Sequence, residues 1–149
     1  MVAPLLWQPI GIPGGFTEIW HQELDSLAQL VHLRSRLRAE LTGHATVAHP
    51  EREHWSERMV LVADELASNA LRHGTPPASA TLSRSGDQWL IAISDSAGDV
   101  PPQPAEGRDP GRGGFGLYLV ADLAQRHGWW AAGQRKVLWA LLSADDDPA

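Results

Sequence analysis

Residues 65–74 read ELASNALRHG, and the reading of this stretch decides the fold. It opens inside an apolar run, closes on Gly74, and places Glu65, Asn69 and His73 four residues apart. At about 100° per residue, four positions make roughly one helical turn, so the three side chains fall along one flank. Met59, Val62, Ala63, Leu66 and Ala70 recur at helical spacing and form the stripe turned to a core. Glu65 and Asn69 adjoin that stripe, and His73 lies closer to it. Pro50 suits the first turn of this helix. Gly74, with Pro76 and Pro77 beyond it, stops the helix near His73. A lone Glu or Asn bordering a core finds ordinary partners. Here the spacing, the glycine end and two downstream signals favour a ligand site.

The first of these signals is QWLIAISD (88–95), where Trp89, Ile91, Ile93 and Asp95 alternate and share one face of a strand. Three large apolar groups followed by a carboxylate place an acid at the rim of a buried pocket. Such an acid can accept a hydrogen bond from an amino-purine edge. Taken by itself, Asp95 reads as the opening residue of a turn. The second signal is GRGGFG (111–116), directly ahead of a helical pattern. Glycines let backbone amides approach a ligand, and a helix start supplies unpaired N–H groups and a favourable dipole. Together these suit phosphate, although a flexible linker has the same composition. The loop is no Walker motif, since no Gly-Lys-Ser/Thr follows. It is no dinucleotide fingerprint either, since a long polar segment separates it from the strand before it.

Working outward, residues 1–15 are rich in Pro and Gly and read as an irregular lead-in. FTEIW (16–20) alternates as a short strand. Leu24, Leu27, Leu30, Val31, Leu37 and Leu41 predict a helix over 24–42, with Gly43 as its stop. SATLSR (79–84) and QWLIAIS (88–94) read as strands joined by a Ser-Gly-Asp turn. Residues 96–112 hold almost no large apolar side chain and read as a mobile functional loop. GFGLYLVADLAQRHG (114–128) reads as a helix, WWAAGQRKVLWALLS (129–143) as a closing hairpin, and ADDDPA (144–149) as an acidic disordered tail. Strands and helices do not alternate strictly. The order predicts an α+β fold: a two-layer α/β sandwich, with a mixed, mostly antiparallel sheet and helices on one face.

The whole chain has 149 residues, which suits one domain with a full core. Its formal charge of −6 argues against a non-specific grip on nucleic acid or anionic membrane. The absence of cysteine excludes disulfides, thiolate zinc sites and cysteine nucleophiles, and fits a reducing compartment. MVAPLLWQPIGIPGGF lacks the basic region and long apolar stretch of a signal peptide, and no apolar run approaches a membrane span. The expected location is the cytoplasm. His49 and His54 lack the further converging ligands that a metal requires. Ser68 and Ser94 lack the base-and-oxyanion setting of a serine hydrolase. Arg34, Arg36 and Arg38 read as a basic strip, either solvated or suited to an acidic partner. Of Trp129 and Trp130, one ring is open to exposure, because adjacent strand residues face opposite ways.

In this order, ELASNALRHG, LIAISDSAG and GRGGFGLYLV resemble the ATP-binding motifs of the histidine-kinase-type ATPase superfamily. That group includes gyrase, the heat-shock chaperone ATPases and the mismatch-repair ATPases. The short form with helix 24–42 ahead, and the closing KVLWALL, look like the bacterial anti-sigma-factor serine/threonine kinases. The resemblance covers residues 16–143 as one ATPase domain. It implies ATP and Mg²⁺ between the helices, under a flexible lid. It makes Asn69 the magnesium ligand, its amide oxygen joining phosphate oxygens and water, and Glu65 the general base. Asp95 would bind the adenine amino group, with Gly98 in the turn beside it. Gly114 and Gly116 would cradle phosphates, with further contacts from Gly111, Arg112, Gly113, Phe115 and Leu117. Arg72 and His73 would flank the pocket. The superfamily commonly carries Asp-x-Gly-x-Gly after the strand. Here DSAGD puts Ala97 and Asp99 at the glycine positions, a departure that bears on turn geometry and affinity.

The function so implied is that of a kinase that sequesters a sigma factor and phosphorylates a serine or threonine of an anti-anti-sigma antagonist. The subgroup resemblance suggests a homodimer, with no direct contact to nucleic acid or membrane. The DSAGD turn keeps a second reading open: a nucleotide-gated regulatory binding module without phosphoryl transfer. A third is a histidine-kinase catalytic domain working in trans on another protein's histidine.

Overall fold

The computed structural model describes residues 7–43, 50–102 and 115–143. The elements are β1 (Thr17–Leu24), a 3-10 turn (Leu27–Gln29), α1 (Leu30–Gly43), α2 (Pro50–His73), β2 (Ala78–Ser85), β3 (Gln88–Asp95), α3 (Phe115–Leu123), β4 (Arg126–Ala132) and β5 (Arg135–Ser143). The strands form one sheet in the order β1-β2-β3-β5-β4. Every pairing of these strands is antiparallel, where a mixed, mostly antiparallel sheet was expected. Parallel pairing among the described residues is confined to an isolated bridge between Pro9 and Trp129. The β2–β3 and β4–β5 hairpins turn through Gly86 and Gly133, both at φ 61, the left-handed region that a side chain disfavours.

Alternation sorts the strands into two faces. Trp20, Leu24, Ala80, Leu82, Trp89, Ile91, Ile93, Leu138, Ala140 and Leu142 join the buried residues of all three helices in one core. On the other face, Leu90, Trp139 and Leu141 form a smaller cluster, with Phe16 and Ala92 against it. The lead-in helps to close that face, because the Trp139 indole donates to the carbonyl of Ile10 at 2.8 Å. Trp7 is buried on the helix side of the molecule, edge-on to His127 at 4.7 Å. Trp130 is exposed and Trp129 is half-buried against the main core.

Two helices differ from their expected bounds. Leu24, placed at the start of the first helix, is the last residue of β1, paired with Ala78. Leu24 satisfies a period of two with Trp20 as readily as a helical period with Leu27, and pairing with β2 decides. α1 proper buries Leu30, Leu33, Leu37 and Leu41, whereas Leu27 and Val31 are exposed. The helix expected over 114–128 ends at Leu123. The Gln125 amide then donates to Leu141 at 2.9 Å, which takes the chain into the sheet as β4. Gly128, the last residue of that stretch, lies in β4 under Trp139, where a Cβ would stand 2.9 Å from the ring. The tail at 144–149 lies outside the described residues.

Candidate functional site

The apolar stripe of α2 settles where its polar flank points. Met59, Val62, Ala63, Leu66 and Ala70 are all buried, as their spacing requires. Glu65 and Asn69 border them half-buried, while Arg72 and His73 are exposed in the last turn. His73 therefore does not lie closest to the core, contrary to expectation. Glu65 faces the start of α3: a Cβ on Gly116 would fall onto the Glu65 carboxylate. Burial pushes the Glu65 carboxyl above its ordinary value, the neighbouring Asp64 charge raises it further, and the Arg72 guanidinium opposes the rise. Asp64 is itself paired with Arg34 of α1 at 2.6 Å.

Asp95 closes β3 with its carboxylate buried. Oδ1 accepts the Ala97 N–H at 2.7 Å, so the residue does open a turn. Oδ2 lies beside the end of α2, where a Cβ on Gly74 would stand 2.5 Å from it. Gly74 thus both ends the helix and lets Asp95 approach. The Ser96 N–H donates to Thr75 at 2.7 Å and ties the two segments together.

The DSAGD departure is accommodated. Ala97 is buried and its N–H caps Asp95. The position intolerant of a side chain is Gly98, where a Cβ would stand 2.5 Å from the Gly133 carbonyl oxygen. Its N–H donates to the Gln134 carbonyl at 2.8 Å. One glycine, at Gly98, lets the turn lie flat against the β4–β5 hairpin.

Gly111, Arg112, Gly113 and Gly114 lie outside the described residues. Leu117 is buried in α3, and its carbonyl accepts the Trp7 indole N–H at 3.2 Å. Sequence reasoning missed that contact, and it missed Lys136. Lys136 is buried opposite Asp95 in the β3–β5 ladder, with Nζ 3.7 Å from Oδ2. The signal was present in KVLWALL, where Lys136 alternates with Leu138, Ala140 and Leu142. The arginines at 34, 36 and 38 are not one strip. Arg34 meets Asp64, Arg38 meets Glu57 at 3.3 Å, and Arg36 lies over the Trp20 ring at 4.6 Å. Two residues along a helix turn about 200°, so Arg36 leaves the side its neighbours share.

The donor set fits a nucleotide and its magnesium. A hard cation needs few protein oxygens when phosphates and waters complete its shell, and the Asn69 amide can supply one. Gly74 and Gly116 leave room for the protein's own carboxylates, Asp95 and Glu65, to stand against the end of α2 and the start of α3.

The model of the histidine kinase-like ATPase domain matches residues 26–141. Sensor protein DivL of Caulobacter vibrioides is 35% identical over 85 residues, covering 51% of this chain and 11% of that protein. The chain thus spans about a tenth of that relative's length. The histidine kinase AdeS of Acinetobacter baumannii aligns over 86% of this chain and 69% of its own, at 13% identity and a TM-score of 0.46.

Proposed function

The chain belongs to the histidine kinase-like ATPase domain family, and on that premise we propose that it is an ATP-dependent protein kinase of the anti-sigma-factor type. Under this reading it sequesters a sigma factor and transfers the γ-phosphoryl group to a serine or threonine of an anti-anti-sigma antagonist. It works in the cytoplasm as a homodimer. No helix of the described residues is long and apolar enough to cross a membrane.

The observation that carries the proposal is the approach of α3 to Glu65. The Glu65 carboxylate meets Gly116 in the first turn of α3, and Asn69 follows Glu65 one turn on along α2. Asp95 takes the base amino group as a hydrogen-bond acceptor. Asn69 holds Mg²⁺, which neutralises charge on the phosphates when bound. Glu65 removes the proton from the acceptor hydroxyl as that oxygen bonds to the γ-phosphorus, and the bond to the ADP oxygen breaks. Its half-buried setting leaves it a stronger base than an ordinary glutamate.

Kinship to the histidine kinase-like ATPase domain family leaves one alternative, a histidine as acceptor. The chemistry of the product separates the two. Radiolabelled ATP with candidate antagonists is expected to give a phosphoprotein stable to acid and labile to alkali. An acid-labile, alkali-stable product means transfer to histidine. Glu65→Ala is expected to slow transfer by about 10²–10⁴, and Asn69→Ala to remove magnesium dependence. Labelling that persists unchanged in both variants overturns the catalytic assignment. ATP binding with no labelled product identifies a nucleotide-gated binding module instead.

A further inference from the structure

Lys136 is a buried charge without a task in the chemistry above. Its side chain is 4% exposed, and that of Asp95 is 2% exposed. Burying an ammonium and a carboxylate strips both of water, so such a pair persists where further hydrogen bonds complete it. Those bonds are present. Lys136 Nζ donates to the carbonyl of Val100 at 3.1 Å and lies 3.7 Å from Asp95 Oδ2. Oδ1 accepts the Ala97 N–H at 2.7 Å. The ladder puts Asp95 directly opposite Lys136, and Gly74 closes on Oδ2 from the end of α2. One ammonium therefore joins the strand-end carboxylate to the root of the loop that follows it.

We propose that Lys136 is a positioning residue for base recognition: it clamps the Asp95 carboxylate and the loop root in one arrangement, and that arrangement selects a 6-amino purine over a 6-oxo purine. The inference rests on the nucleotide reading of the site. A 6-amino group is a donor and meets the carboxylate as an acceptor. A 6-oxo group is an acceptor, and places two electronegative oxygens together. A carboxylate that can rotate or admit water relieves that conflict, whereas one held from two sides cannot.

The test is calorimetric binding of ADP and IDP to the full chain, as wild type, Lys136→Met, Asp95→Asn and the double variant. Wild type is expected to prefer ADP by about tenfold or more, and Lys136→Met to shrink that ratio by about fivefold. Lys136→Arg is expected to restore part of it. In the Asp95→Asn background, Lys136→Met is expected to change the ratio no further, because Lys136 acts through Asp95. The double variant leaves no lone buried charge, so this comparison stands even where Lys136→Met folds poorly. A Lys136→Met ratio equal to wild type overturns the proposal. So does a larger one, which means that the ammonium itself contacts the base. A further drop in the double variant also overturns it. If wild type binds neither nucleotide, the nucleotide reading falls and this inference with it.

Discussion

Glu65 concentrates the chemistry in one carboxyl group whose proton affinity is set by three neighbours. Desolvation raises it most, Asp64 adds to the rise, and Arg72 works against it. As a base, Glu65 is active when ionised, so phosphoryl transfer is expected to climb with pH through a midpoint above the ordinary glutamate range. Asp64→Asn removes a negative neighbour and moves that midpoint down. Arg72→Gln removes a positive one and moves it up. Single-turnover rates against pH read both shifts, and three superimposed profiles would remove Glu65 from the role. Stability carries the matching sign. A raised folded-state pKa means that the folded chain holds this proton more tightly than the unfolded chain. Below the ordinary value both states are protonated, and Glu65 contributes no difference. As pH rises from there through the raised value, folding stability is lost. Glu65→Gln is therefore expected to raise Tm at neutral pH, with the gain vanishing near about pH 4. Glu65 and Asn69 were legible as neighbours from their spacing alone. The arginine of α1 that meets Asp64 was not, because nothing local links position 34 to position 64.

At the scale of elements, α3 has one conspicuous adaptation. Gly116 sits in its first turn, where glycine weakens a helix by about 1 kcal/mol relative to alanine. The space it leaves is taken by the Glu65 carboxylate. Gly116→Ala is thus expected to leave Tm unchanged or slightly raised, since the intruding methyl meets the end of a side chain that can move. Phosphoryl transfer is expected to fall by at least about tenfold, because that side chain is the base. Thermal melts beside initial rates separate the two effects. Loss of stability with activity retained would show that Gly116 serves packing only. Helix edges were less legible than helix existence. Leu24 and Leu27 fit the helical period, yet one ends a strand and the other is exposed. Pairing with β2 overrides periodicity at such a junction.

For the molecule as a whole, the lead-in is a structural member. Trp7 is buried, donates to the carbonyl of Leu117 at 3.2 Å and packs edge-on to His127, joining segments about 110 residues apart. Trp7→Ala is expected to cost about 3–5 kcal/mol in urea unfolding, and to weaken nucleotide binding because α3 loses a fixed point. Trp7→Phe keeps one aromatic ring and loses the pyrrole half of the indole with its N–H, so it is expected to retain part of the stability. A loss below about 1 kcal/mol for Trp7→Ala would mean that the contact is peripheral.

The sequence by itself determined the element order, the buried stripe of α2, the shared face of Trp89, Ile91, Ile93 and Asp95, and the succession of motifs that carries the family. These are local matters: side-chain period and glycine position are properties of a few neighbouring residues. The tertiary structure alone decided that Asp95 meets Lys136, that Gly116 meets Glu65, that Arg34 meets Asp64 and that Trp7 reaches α3. Each of these joins segments far apart in the chain. Strand order and helix docking bring them together, and no short-range periodicity encodes which atoms then face one another.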